Sequence, residues 1–435
     1  MHRKLFVVAL VALFCLANVT RAAYRSRVQE PRFAAEGAAH FRYTEMIAEG
    51  KSIPALDVPA QWPEGLRVFR ETSPFMEYLF GWTWRFIPGA KPDLAAFIRY
   101  GTAFLFSLAI FPLSLLSARI WRSLLSGVVT AIVFAAALPL VARSSGFDFL
   151  RENVTFPFIV FHVYFFVAAC AEGGVAFPAL SGLFLFAALA SWHGAQFYCV
   201  PFLVFLLVRA VAVEPGARER RAALALVIAI AAAGVAVPYL REGRFLLSIS
   251  ASLAAAVLAV GLIGARRRGV GTRAVRALIA ALVIAAVIGP GAVSGRHFST
   301  YSHFFDLLLY KFRYLAKPED PRLLPFDARA FWVGPFNSPD PLHFFVFALP
   351  VLFLLSLSIS ALVRRARERD FEGEFMLAFL ILCFFLFLLM QRLLPLFGFF
   401  AALAAGGSAQ GMFGSRTLRG IAKPAPLVTI AVFGI

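Results

Sequence analysis

The sequence predicts an all-α, polytopic membrane protein with about thirteen spanning helices. Three observations carry this reading. Hydrophobic residues make up 60% of the 435 and charged residues only 15%, whereas soluble domains run near 45–50% and about 25%. Apolar runs recur along the chain, close to the roughly 20-residue ruler set by a bilayer. Except at Glu172-Gly173-Gly174, the connectors between them alternate between strongly basic and charge-balanced, the signature of a chain threaded back and forth through a membrane.

Taken in order, residues 5–20 form a first apolar run after His2, Arg3 and Lys4, with a cleaved signal peptide as the alternative. Further runs cover about 95–117, 123–141, 154–171, 176–190, 195–213, 222–238, 245–264, 274–293, 342–362, 373–390, 393–410 and 424–435. Arginines crowd one set of connectors: Arg119 and Arg122; Arg209, Arg218, Arg220 and Arg221; Arg266 to Arg268; Arg364, Arg365, Arg367 and Arg369; Arg416 and Arg419 with Lys423. The positive-inside rule makes that side, and the N-terminus, cytoplasmic. The two long loops, 21–94 and 294–341, then share the non-cytoplasmic side and outline an active site at the membrane surface. The whole of 1–435 reads as one transmembrane domain carrying these two external loops.

The net charge of +18 is therefore membrane topology, not a nucleic-acid face. Cys15, Cys170, Cys199 and Cys383 all lie in apolar runs without CxxC spacing, so they read as packing residues. No P-loop, GxGxxG or HExxH stands in the chain.

Chemistry is expected in the polar stretch after the first run, which gathers Glu36, His40, Arg42 and Trp62. A carboxylate just outside a span can be a solvated loop residue, bind a hard cation or accept a proton. Glu152, with Asp148 and Arg151 beside it, opens the run at 154. It reads either as a helix-start carboxylate or as an interfacial functional group. Arg392 separates two apolar runs and is either a snorkelling anchor or a fork for phosphate. His193 and His303 border runs or loops and are secondary candidates; Trp62 could line a pocket or belong to an interfacial aromatic belt. A transporter or lipid flippase is the competing class. It fits less well, because the spans are nearly charge-free and the charges crowd the boundary.

Several motifs carry a family resemblance. Glu36-Gly37-Ala38-Ala39-His40-Phe41-Arg42-Tyr43, Gly50-Lys51 and Trp62-Pro63-Glu64-Gly65 resemble the first external loop of oligosaccharyltransferase catalytic subunits, which are GT-C glycosyltransferases. Ser191-Trp192-His193-Gly194-Ala195 resembles that family's Trp-Gly span entry. Gln391-Arg392-Leu393-Leu394-Pro395 resembles the span start whose Arg meets the lipid-linked phosphate. Leu150-Arg151-Glu152-Asn153-Val154-Thr155-Phe156-Pro157-Phe158, Ala195-Gln196-Phe197 and Phe305-Asp306-Leu307-Leu308-Leu309-Tyr310 look more like the dumpy-type tryptophan C-mannosyltransferases.

The resemblance implies a GT-C fold and transfer of a sugar or oligosaccharide from a polyprenyl, dolichyl-type phosphate donor to a protein or peptide acceptor. It implies catalytic roles for Glu36, Glu152 and Asp148, with a divalent cation, Mg or Mn, held by Glu36 and Glu152. Arg392 would bind the donor phosphate, and His40, Arg42, Trp62, His193 and His303 would line the pocket. It places the enzyme in a plasma membrane or an endoplasmic reticulum membrane. Glu36 stands where oligosaccharyltransferases usually have Asp, and Ser299-Thr300-Tyr301-Ser302-His303 lacks the glutamate of that family's later loop. The Trp-Trp-Asp acceptor motif is missing, and a C-terminal soluble domain is expected to be absent or truncated. A catalytically inactive GT-C relative is the remaining alternative.

Overall fold

The computed structural model describes residues 3–27, 33–264, 271–293, 302–345 and 349–414. The run 424–435, the connector arginines 266–268, Arg416, Arg419 and Lys423, and Ser299, Thr300 and Tyr301 lie outside the described residues, as do the side chains of His303 and Asp306. The described chain is helical, interrupted by one two-stranded antiparallel ladder that pairs Leu56 with Arg67 and Asp57 with Leu66.

Among the described residues seven helices are long and apolar enough to cross a membrane. They become eight if Leu124–Ala136 and Leu138–Ser144, bent by 58°, form one span. The expected count of about thirteen on the bilayer ruler is not reached. Ala176–Ser191 and Ile249–Leu262 are apolar but short. Ala217–Ala236 has the length, yet its first turn carries Arg218, Glu219, Arg220 and Arg221. The run 342–362 is broken into Leu349–Ser356 and Ile359–Arg367.

The chain divides into two compact units. One joins Arg21–Pro112 with Ser144–Phe298; the other joins Met1–Thr20, Leu113–Arg143 and Ser299–Ile435. They are called here the first-loop and second-loop units.

In the first-loop unit, Arg151–Glu172 turns back into Ala176–Ser191 at Gly173 and Gly174, with φ of 83° and 78°. Glycine takes that left-handed backbone without a Cβ clash. Phe161 and Phe165 on the first helix stack against Phe184 on the second, centroids 4.8 and 5.6 Å apart. Gly182 brings the second helix close to Ala217–Ala236, since a Cβ there would sit 3.0 Å from the Ala225 carbonyl. Small residues at such contacts are how helices associate where burial from water gives no drive.

The predicted external stretch is a folded layer rather than an extended loop. Helix Ala35–Ala48 packs on helix Phe75–Arg85, where Gly81 lies against Ile47 and the Thr44 carbonyl. Met76, Phe80, Ile98 and Phe149 form its core with Phe33 and Val154. Burial of these large side chains, about 1.5–3 kcal/mol each, orders the layer.

In the second-loop unit, Leu124–Ala136 packs on Leu394–Gly414. Trp121 Nε1 donates to the Leu403 carbonyl at 2.8 Å and Thr130 Oγ1 to that of Ala402 at 3.1 Å. The connector arginines are paired: Arg119 Nε lies 2.7 Å and Arg365 Nη2 3.1 Å from the Glu372 carboxylate. Helix Ser302–Tyr314 begins the described part of the second loop, whose core is Leu307, Leu324 and Trp332.

Candidate functional site

Glu36 falls in the first turn of helix Ala35–Ala48, where a carboxylate complements the positive helix end. One turn on, His40 is on the same face. Its Nε2 lies 3.5 Å from Glu36 Oε1 and its Nδ1 2.8 Å from Glu77 Oε1. Glu77 comes from Phe75–Arg85, the packed partner helix, and also receives Arg151 Nη2 at 2.7 Å. The four side chains form a chain of alternating charge: Glu36, His40, Glu77, Arg151. Exposure separates its ends, since the Glu36 side chain is 46% exposed and that of Glu77 0%.

The electrostatics follow from this. Burial pushes the Glu77 carboxyl up, but Arg151 and His40 outweigh burial and hold it down at about 2. Burial and Arg151 push the His40 imidazole down; Glu36 and Glu77 together outweigh them and the net shift is upward. A buried carboxylate so compensated stays ionised.

The segment that leads into Asp148 and Glu152 lies beside the same turn. A Cβ on Gly37 would sit 3.3 Å from the Phe149 amide nitrogen, and the Phe149 ring lies edge-on to His40 at 6.2 Å. Gly146, φ 78°, crosses so close to Arg99 that a Cβ would be 2.2 Å from its carbonyl oxygen. Arg21 Nε donates to Ser144 Oγ at 2.8 Å and Arg25 Nη1 to the Ser145 carbonyl at 3.1 Å, fastening the segment to the end of helix Arg3–Ser26. Glu152 is fully buried, and Asp148 half-buried.

The other expected pocket residues take different places. Arg42 forms a two-pronged pair with buried Asp57, its Nη2 3.0 Å from Oδ1, and so holds the β-ladder to the helix. Trp62 is 79% exposed. His193 precedes helix Gln196–Ala212, its ring 5.1 Å from that of Tyr239. Burial pushes the Tyr239 phenol up and Arg151 offsets part of the shift. Arg392, in the second-loop unit, has its guanidinium carbon 5.2 Å over the Phe336 ring.

Glu77 and Tyr239 were not picked out by the sequence reading. The signal for Glu77 was present. It shares the buried face of its helix with Met76, Phe80 and Gly81, and an acid within an apolar stripe requires a partner.

The expected cation at Glu36 and Glu152 meets a different arrangement. Among the described residues no three His, Cys, Asp or Glu side chains gather as a ligand set. Glu36 and Glu77 already face His40 and Arg151. As packed, these residues do not fit a metal centre.

No protein-family model matches the chain, and no curated protein matches it. Solved structures do. The apo oligosaccharyltransferase of Archaeoglobus fulgidus superposes with a TM-score of 0.75 at 16% identity, over 100% of this chain and 56% of that one. The chain shares the fold of that archaeal oligosaccharyltransferase over its whole length. The oligosaccharyltransferase AglB of the same organism, in complex with an inhibitory peptide and a dolichol-phosphate, gives 0.68 at 17% identity over 99% and 56%. The complex of the first enzyme with Zn and sulfate gives 0.59 at 16% identity over 98% and 53%. The chain thus spans little more than half the length of the oligosaccharyltransferase structures it matches.

Proposed function

We propose that this chain is a membrane glycosyltransferase that moves a sugar or oligosaccharide from a polyprenyl-phosphate-linked donor to a protein or peptide acceptor at the non-cytoplasmic face. The observation that carries it is the solvent-open Glu36 carboxylate contacting His40, which is backed by the buried Glu77–Arg151 pair. A general base must be ionised, reachable and held in place. Glu36 is reachable, lies 3.5 Å from His40 on the same helical turn, and His40 is held from the partner helix by Glu77. The GT-C fold adds that such a site suits a lipid-linked donor.

In the proposed step the acceptor's nucleophilic atom bonds to the anomeric carbon and passes its proton to Glu36. The bond from that carbon to the phosphate oxygen breaks, and its electron pair leaves with the polyprenyl phosphate. Separately, Arg392 of the second-loop unit is assigned to binding polyprenyl phosphate, for which a planar guanidinium fork is suited. Arg151 and Glu77 hold the acid–base end, and Glu152 with Asp148 supports the segment against it.

Purified protein in lipid nanodiscs, given radiolabelled polyprenyl-linked sugars and a peptide mixture, should move label to peptide. Glu36→Gln should reduce that transfer by roughly a hundredfold or more, the scale of a lost acid–base group. Label moving equally well in Glu36→Gln, or none moving with any donor, would end this reading.

A further inference from the structure

The second-loop unit holds a buried cation of a different kind. Lys311, on helix Ser302–Tyr314, is only 2% exposed. Its ammonium donates to the carbonyl oxygens of Phe336 and Leu389 and, at 3.5 Å, to Ser338 Oγ. The Trp332 ring covers it, with the nitrogen 5.4 Å from the centroid. All of these partners are neutral.

Each attachment leads to the same short stretch. Leu389 is the last residue of helix Phe371–Leu389, whose final carbonyls lack helical partners and form the negative end of its dipole. The next residues are Met390, Gln391 and Arg392. The Gln391 amide donates to the Asn337 carbonyl at 2.9 Å, and its side chain to that of Ser338 at 3.4 Å. Phe336 gives its carbonyl to Lys311 and its ring face to Arg392. Lys311 thus ties residues 336–338 of the second loop to the helix end that presents Arg392, and both cations meet Phe336.

We propose that Lys311 is a positioning residue for an anionic phosphate headgroup. It fixes the backbone on which Arg392 is presented and adds a charge that, among the described residues, is offset only by neutral oxygens. The ammonium itself has all three donors engaged and is buried, so it acts through Arg392 and not by touching the phosphate. This rests on the assignment of Arg392 to the donor phosphate. The occupant is a polyprenyl phosphate, because the stretch lies between two apolar helices, Phe371–Leu389 and Leu394–Gly414. Burial lowers the Lys311 ammonium to about 8, so its charge is lost within an accessible pH range. The other titratable groups around the knot are Tyr310 and Tyr314 from its own helix, Lys317, which donates to the Trp332 carbonyl at 2.8 Å, and Arg392.

The test is equilibrium binding of dolichyl phosphate to the full chain in nanodiscs at pH 7.0 and 9.5, above the second ionisation of a phosphate monoester near 6. Native protein should bind more weakly at 9.5, as the ammonium discharges. Lys311→Met should bind roughly tenfold more weakly at pH 7.0, the scale of a lost charged hydrogen bond, and change little on going to 9.5. Lys311→Arg should keep most of the affinity at both values. Lys311→Met with native affinity and native pH dependence would overturn the proposal. So would a native protein whose affinity is the same at both pH values, a result independent of how any variant folds. If Arg392→Ala weakens binding and Lys311→Met does not, this proposal alone fails. If Arg392→Ala binds normally, the phosphate assignment fails with it. Inorganic phosphate binding as tightly as the lipid would reassign the site to a free anion and overturn the lipid headgroup.

Discussion

Arg151 and Lys311 are both buried cations, yet their surroundings are opposite. Arg151, in the first-loop unit, meets the carboxylate of Glu77, which also faces His40. Lys311, in the second-loop unit, meets two backbone carbonyls, a hydroxyl and an indole face. The first arrangement cancels charge locally and leaves one outward carboxylate, Glu36. The second leaves positive charge uncancelled by its own partners and fastens the chain next to another cation. One is suited to hold and direct a base, the other to favour an anion. The difference lies in the partners and not in residue type, because an ammonium or guanidinium in low dielectric is defined by what compensates it.

Removing the compensation from the first region should give the largest effect. Glu77→Ala leaves Arg151 buried beside His40 without its carboxylate, and should destabilise the fold by about 3–5 kcal/mol. Thermal unfolding in nanodiscs reads this, and a shift within error would mean that water replaces Glu77 and the chain of charges is not structural. Next in size is Glu152→Gln. It preserves shape at a fully buried position and should reduce label transfer by about tenfold to a hundredfold if Glu152 serves the site. Native turnover would leave Glu152 a helix-start carboxylate.

The second region is sharpened by exchanging one cation for another. Arg392→Lys should recover only part of the donor affinity lost in Arg392→Ala, since Lys lacks the planar fork. Full recovery would show that charge alone suffices there.

A smaller effect is the pH dependence of stability in the first region. The folded His40 lies above its ordinary value. Its contribution is therefore complete below about 6.5 and is lost as pH rises through the folded value. The native unfolding temperature should fall between pH 6.5 and 8.5 by more than that of His40→Gln. The Glu77 contribution, with its carboxyl near 2, stays constant across that range. Parallel curves for the two proteins would remove His40 from the charge chain. Smallest of all is Trp62→Ala. At 79% exposure it should change stability by no more than about 0.5 kcal/mol, and transfer should be unaltered. A large loss of transfer would assign Trp62 to the acceptor.

Composition and apolar spacing were enough for the class, because lipid leaves a chain few solutions: helices near a fixed length, with charges at their ends. They were not enough for the number of spans. Ala217–Ala236 and the broken run 342–362 read as apolar runs in the sequence, but the charges of the first give it a shorter apolar stretch and the second is not one continuous helix. Glu36 and His40 were legible as an i, i+4 pair outside a span, and the structure places them on one helical turn. Arg42, equally conspicuous in the sequence, belongs to the β-ladder through Asp57. Glu77 is marked locally only as an acid in an apolar stripe, and Tyr239 and Lys311 carry no local sign of their role. Each is an ordinary residue on an amphipathic helix until packing decides what it faces. Arg151 reaches Glu77 across 74 positions and Lys311 reaches Leu389 across 78. Only the tertiary structure makes those encounters, and burial then fixes which charges must be compensated and by what.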